Sequence, residues 1–144
     1  MKFQNKYQPN FLAICLREKS LLVKHYDFIK CSIRDNTLIC KGFYQPIEDG
    51  VIYKYEIKYK PDKTPKVTVV EPKIIYNEDI HMYPSNCALW LYHRTDLVWS
   101  IRSHLFDTII PWTHEWFVFY ELYKITGKWE HPFVQHNVTE KKDL

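Results

Sequence analysis

The sequence predicts an α+β domain: an N-terminal helix, a four-stranded antiparallel meander, a long site-bearing loop and a C-terminal aromatic helix. Three observations carry this. Residues 51–59 alternate strictly, with Val51, Tyr53, Tyr55, Ile57 and Tyr59 on one face and Lys54, Glu56 and Lys58 on the other, the period of a half-buried strand. Trp112, Trp116, Phe119, Tyr120 and Tyr123 recur at three- and four-residue steps, the period of a helix. Between these two patterns, Pro72, Asn77, Asp79, Pro84, Ser85 and Asn86 break any periodicity over a long connection. Strands in one run, with helices before and after, give α+β rather than a parallel α/β sheet.

In chain order, Pro9 and Asn10 stand where a helix would start, and Phe11, Ile14, Cys15 and Leu22 supply its apolar stripe. Residues 28–33 alternate as a first strand, and Asp35-Asn36 supplies a turn. A second strand over 37–44 ends before Pro46 and Glu48-Asp49-Gly50, and the third follows over 51–59. A turn at 61–65 leads into a fourth strand over 66–70. Within the long loop, residues 89–92 could form a short strand. Pro111 suits the first turn of the last helix, and Gly127 suits its stop. The whole chain, 1–144, reads as one domain with an ordered core over about 9–136 and a frayed polar tail at 139–144.

Composition removes several functions. With three glycines, each isolated, a Gly-rich phosphate loop is excluded, and no cofactor motif stands in its place. The net charge of +3 comes from Lys and Arg spread among Asp and Glu, which argues against nucleic-acid binding. The apolar run at 11–16 is too short for a secretory signal and is cut by Arg17, Glu18 and Lys19. No stretch is long enough to span a bilayer, so a cytoplasmic protein with free thiols and no membrane association is expected.

Among four cysteines, Cys87 has the strongest chemical case. An acyl-carrying thiol must be accessible and surrounded by polar or cationic groups, which the loop residues His81, Ser85, Asn86 and His93 can supply. An inert cysteine at a strand edge is the alternative. Cys15, Cys31 and Cys40 fall inside apolar elements and read as core. The histidines, with Cys87, lack the paired spacing of a zinc site, and His114-Glu115 lacks the second histidine of HExxH, so no metal is expected. Ser100 and Ser103 have no nucleophile-elbow glycines beside them.

A set of short words adds a family resemblance. Thr37-Leu38 with Gly42 and Gln45-Pro46, Pro65-Lys66-Val67, His81-Met82-Tyr83-Pro84, Trp99-Ser100, Thr108-Ile109-Ile110-Pro111-Trp112, Glu115-Trp116, Tyr120-Glu121 and Thr126-Gly127-Lys128-Trp129 occur in order. Together, over about residues 11–136, they resemble the ubiquitin-conjugating-enzyme-like proteins of bacterial type II CBASS antiphage operons. The resemblance implies a ubiquitin-conjugating-like fold and a loop cysteine that carries a thioester. It also implies, as partner, a cyclic-oligonucleotide synthase (CD-NTase) or another protein offering its C-terminal tail. His81 would orient the loop, and Asn86 is the residue able to stand in for the family's oxyanion-holding asparagine. Alignment on Leu89-x-Leu91-Tyr92 puts Trp90 at the family's nucleophile position, with Cys87 three residues upstream. Two readings follow: a transferase using Cys87, or a catalytically inactive adaptor that binds and regulates the synthase. Trp90 and His93 are the candidate partner contacts.

Overall fold

The computed structural model describes residues 10–91 and 99–130. Over these the chain forms α1 (Phe11–His25), β1 (Lys30–Arg34), β2 (Thr37–Tyr44), β3 (Tyr53–Tyr59), β4 (Lys66–Glu71) and α2 (Ile109–Thr126). The strands make one antiparallel sheet in the order β1-β2-β3-β4, the expected meander.

Asn10 starts α1 by accepting on Oδ1 from the Ala13 amide at 3.0 Å, which satisfies a donor that a helix start leaves without a partner. Asp35 and Asn36 turn β1 into β2 with φ of 52° and 57°, and the flanking Arg34 and Thr37 pair directly. A two-residue hairpin needs that left-handed pair, and Asn and Asp tolerate it better than most residues. In β3, Tyr53, Tyr55, Ile57 and Tyr59 are buried and Lys54 and Lys58 exposed. Val51 departs from the expected face: strand pairing begins at Tyr53, so Val51 lies in the extended approach and is 38% exposed.

Helix α2 starts at Ile109, two residues ahead of Pro111, which then occupies the first turn where no amide is required. Gly127 takes φ 78° and its amide donates to the Tyr123 carbonyl at 2.7 Å, closing the helix as expected. Inward residues of the sheet (Leu38, Cys40, Tyr53, Tyr55, Ile57, Tyr59) join Cys15 and Leu22 of α1 and Ile109, Trp116 and Phe117 of α2 in one buried cluster. Phe117 stacks on Tyr53 at 4.4 Å. Only glycine fits at Gly42, since a Cβ there would come 2.9 Å from the Tyr55 ring. Cys15 and Cys40 are buried as expected, but Cys31 is only half-buried because β1 is an edge of the sheet.

Two polar groups organise this core. Glu18, fully buried on α1, accepts from the Leu105 amide at 2.8 Å, from Arg17 Nε at 2.9 Å and pairs with His104 Nδ1 at 2.7 Å. Such partners are what a buried carboxylate needs, and they bind the segment before α2 to the first helix. His114 of α2 meets the Tyr55 hydroxyl at 2.8 Å and stacks on Tyr44 at 4.0 Å. Burial pushes its pKa down from 6.5 to about 4. The unfolded chain therefore takes up this proton first as pH falls, and stability should decline from about pH 6.5 and level off near pH 4. Melting temperatures over that window check this; His114→Gln should flatten the decline, and an unchanged slope in that variant would count against it.

Among the described residues, no helix is long and apolar enough to cross a membrane.

Candidate functional site: a cysteine at the tip of a stitched loop

The loop after β4 is built as a small antiparallel excursion with apolar legs and a polar tip. Ile80, Met82, Ala88, Leu89 and Leu91 are buried, while residues 83–87 are exposed. Burial of the legs fixes which way the tip points. Met82 bridges Leu89, Trp90 N donates to His81 O at 3.0 Å, and Tyr83 N donates to Ala88 O at 2.8 Å. Of the short strand expected over 89–92, only this bridge at Leu89 forms among the described residues.

Two further bonds fasten the excursion to the domain. Leu89 N donates to the Val67 carbonyl of β4 at 2.8 Å, and the Trp116 indole N–H of α2 donates to the His81 carbonyl at 2.7 Å. The loop thus hangs between the sheet and the last helix, and neither end is left to float. Backbone polar groups are satisfied where the chain is irregular, which is what lets an irregular segment hold one shape.

Cys87 sits at the tip, exposed, with φ 59°. Its amide donates to the Tyr83 carbonyl at 2.9 Å, closing a one-turn curl over Pro84, Ser85 and Asn86. Asn86 braces the other side: its Oδ1 accepts from the Ala88 amide at 2.9 Å. A cysteine in the left-handed region is strained, by about 1–2 kcal/mol relative to the right-handed form. Strain of this kind concentrates where a side chain must be presented in a set direction.

Asn86 and Cys87 are thus neighbours at the tip, and His81 and Trp90 are neighbours at the base. Their rings pack at 4.4 Å with a 35° tilt, and His81 also lies 5.5 Å from Trp129. Trp90 is half-buried. His93 falls outside the described residues. On either side of the excursion lies a cleft. One, about 230 Å³, is bordered by Thr64, Lys66, Ser85, Asn86 and Leu91. The other, about 560 Å³, is bordered by Glu78, Asp79, His81, Trp90 and Trp129. Trp116 as the loop's anchor was not foreseen from the sequence, where it reads as core; its polar N–H was the available signal, since a buried indole needs an acceptor. Among the described residues, no group of three metal-ligating side chains comes together.

Exposure separates Cys87 from the two buried thiols. Iodoacetamide on the native protein should label Cys87 ahead of Cys15 and Cys40, and reach those two only on unfolding. Peptide mass spectrometry reads this; native labelling of Cys40 ahead of Cys87 would contradict it.

The order of elements, an N-terminal helix, a four-stranded antiparallel sheet and a last helix, is that of an α+β, E2-like fold. The family model described as the type II CBASS E2 protein matches residues 18–137, more than half of the chain. The chain belongs to that family, and is a CBASS-associated, E2-like protein. No curated protein shows a significant match.

Proposed function

We propose that this protein is a cytoplasmic acyl transferase of an antiphage operon, with Cys87 as nucleophile and the C-terminal tail of a partner cyclic-oligonucleotide synthase as substrate. The observation that carries the reading is the presentation of Cys87: an exposed thiol on a strained residue, at the tip of a loop fastened at its base. In the reaction the deprotonated sulfur attacks the acyl carbon of a tail whose C-terminal carboxyl is already activated as a thioester, the first thiol departs as its thiolate, and a thioester to Cys87 forms. An amine or water then attacks the same carbon, loses its proton, and the thiolate is released. Asn86, its Oδ1 held by the Ala88 amide, keeps its NH₂ group as a donor for the tetrahedral oxyanion. His81 acts by orientation, its carbonyl gathering Trp90 and Trp116 beneath the tip.

A second reading rests on Trp90. Its ring packs on His81 where alignment with the family would put the nucleophile. A protein that had exchanged chemistry for packing there would bind and regulate the synthase as an inactive adaptor, with Trp90 and His93 as contacts.

The test is to mix the protein with synthase whose C-terminal carboxyl is supplied as a thioester, and to separate the products without reductant. Support would be a new species whose mass is the sum of the two less the departing thiol, cleaved by hydroxylamine and mapped to Cys87. A tight complex with no covalent species would overturn the transferase reading in favour of the adaptor.

A further inference from the structure

Two cysteines from different strands meet across the first hairpin. Cys31 of β1 and Cys40 of β2 are direct cross-strand partners, and both lie on the face of the sheet that packs into the core. In a hairpin with a two-residue turn, the pair flanking the turn is hydrogen-bonded, and the kind of pair alternates outward from there. Arg34–Thr37 is the flanking pair, and Cys31–Cys40 is three pairs further on. It is therefore of the non-hydrogen-bonded kind, with Cα atoms about 4.5 Å apart and side chains close together. A disulfide spans Cα separations of about 4.4–6.8 Å, so no backbone movement is required. The two thiols are already in contact, Cys40 donating a hydrogen bond to the Cys31 sulfur. A buried thiol serving as a small apolar filler accounts for Cys40. It does not account for Cys31, which is half-buried on an edge strand and partly open to solvent. The bond from Cys40 draws the Cys31 thiol below its ordinary pKa against the effect of burial, and the Lys19 ammonium of α1 adds to it. The same bond and burial push the Cys40 thiol up. One sulfur is thus disposed to ionise and attack, while its neighbour holds a proton.

We propose that Cys31 and Cys40 form an oxidisable dithiol, a modification site that takes a hydroperoxide as co-reactant and closes to a disulfide across the hairpin. The Cys31 thiolate attacks one peroxide oxygen, the O–O bond breaks, and the departing alkoxide or hydroxide takes up the proton that Cys31 released. A sulfenic acid remains on Cys31. The Cys40 sulfur then attacks the Cys31 sulfur, the S–S bond forms and the S–O bond breaks. Hydroxide leaves and combines with the Cys40 proton as water. In sum, two thiols lose two electrons and two protons, and the hydroperoxide is reduced to an alcohol (water, for hydrogen peroxide) and water. Cys15 is not the resolving thiol: it sits on α1 and donates to the Asn36 carbonyl at 3.5 Å. The loop that carries Cys87 is fastened to β4, whereas β1 is the opposite edge of the sheet. Oxidation of the pair therefore does not depend on whether the protein transfers acyl groups.

Hydrogen peroxide on the reduced, native full chain tests this, with N-ethylmaleimide to block remaining thiols before digestion. Trypsin cuts after Lys30, Arg34 and Lys41, so the disulfide would join two short peptides, 31–34 and 35–41. The expected product is that pair at the summed mass less two hydrogen atoms, lost on adding dithiothreitol. A second measurement isolates the resolving step. In Cys40→Ala the sulfenic acid has no neighbouring thiol, so dimedone should label Cys31 about fivefold more than in the wild type. Circular dichroism confirms that this variant folds, and the peptide mapping stands on the wild type alone. Absence of the linked pair, a link from Cys40 to Cys15 in its place, or equal dimedone labelling of Cys31 in the two proteins would each overturn the proposal.

Discussion

Replacing Cys87 with serine is expected to eliminate the thiol-labile species formed with the synthase and to bring phage protection down to that of cells lacking the protein. Because the side chain is exposed and serine keeps its size, unfolding free energy should shift by no more than about 0.5 kcal/mol. Loss of activity would then be a chemical effect and not a folding one. Cys87→Gly sharpens the distinction. Glycine accepts φ 59° without the steric cost that cysteine bears there, so this variant should gain up to about 1 kcal/mol while being equally inactive. Stability and activity would move in opposite directions at one position, the pattern of strain held for function. Full protection by Cys87→Ser would instead sink the transferase reading. In that case Trp90→Ala should weaken binding of the synthase, the outcome the adaptor reading requires.

Trp116→Ala should have the largest effect on the fold. The side chain is 1% exposed, stacks on Tyr120 at 5.3 Å and meets Trp129 at 5.1 Å. Emptying such a site costs about 3–5 kcal/mol, a large part of the stability of a small domain. Urea denaturation measures it. A second consequence distinguishes this tryptophan from its buried neighbours: the His81 carbonyl loses the indole donor while keeping the Trp90 amide. Trp116→Phe separates the two effects, keeping most of the apolar packing while losing the indole N–H, at a cost of about 1 kcal/mol for the hydrogen bond. Hydrogen exchange at the Trp90 and Tyr83 amides should accelerate in Trp116→Phe. Unchanged exchange would show that α2 does not hold the loop.

Much of this fold was legible because its elements obey simple periods. The alternation of β3 and the aromatic spacing of α2 are each set by which face meets the core, and the structure follows them to within two residues at most helix and strand ends. Asn10, Asp35-Asn36 and Gly127 marked ends because their side chains, or lack of one, solve local backbone problems. Glu18 was present as a signal without being used: it falls on the buried stripe of α1 with Ile14, Cys15 and Leu22, and a carboxylate in that place demands partners. Those partners lie at His104 and Leu105, too far along the chain for any local pattern to reveal. At the site, residue type pointed to Cys87, while its left-handed backbone and outward aim depend on bonds to Tyr83 and on the brace from Asn86. The joining of His81 to Trp116 spans 35 residues and is a property of packing, not of sequence spacing.

The suspension of the cysteine loop between β4 and α2 also sets when the loop can take its final shape during synthesis. Every pairing in the sheet is between strands adjacent in sequence, so the meander can close hairpin by hairpin as the chain emerges. Trp116 emerges 29 residues after Cys87 (116 − 87), and until it docks beneath His81 the loop has its attachment to Val67 without the bond from α2. A nascent chain with a finished sheet therefore carries the thiol in an unformed setting. The setting of Cys87 described above is thus among the last parts of the domain to be assembled, and it requires a chain that has emerged through Trp116 of α2.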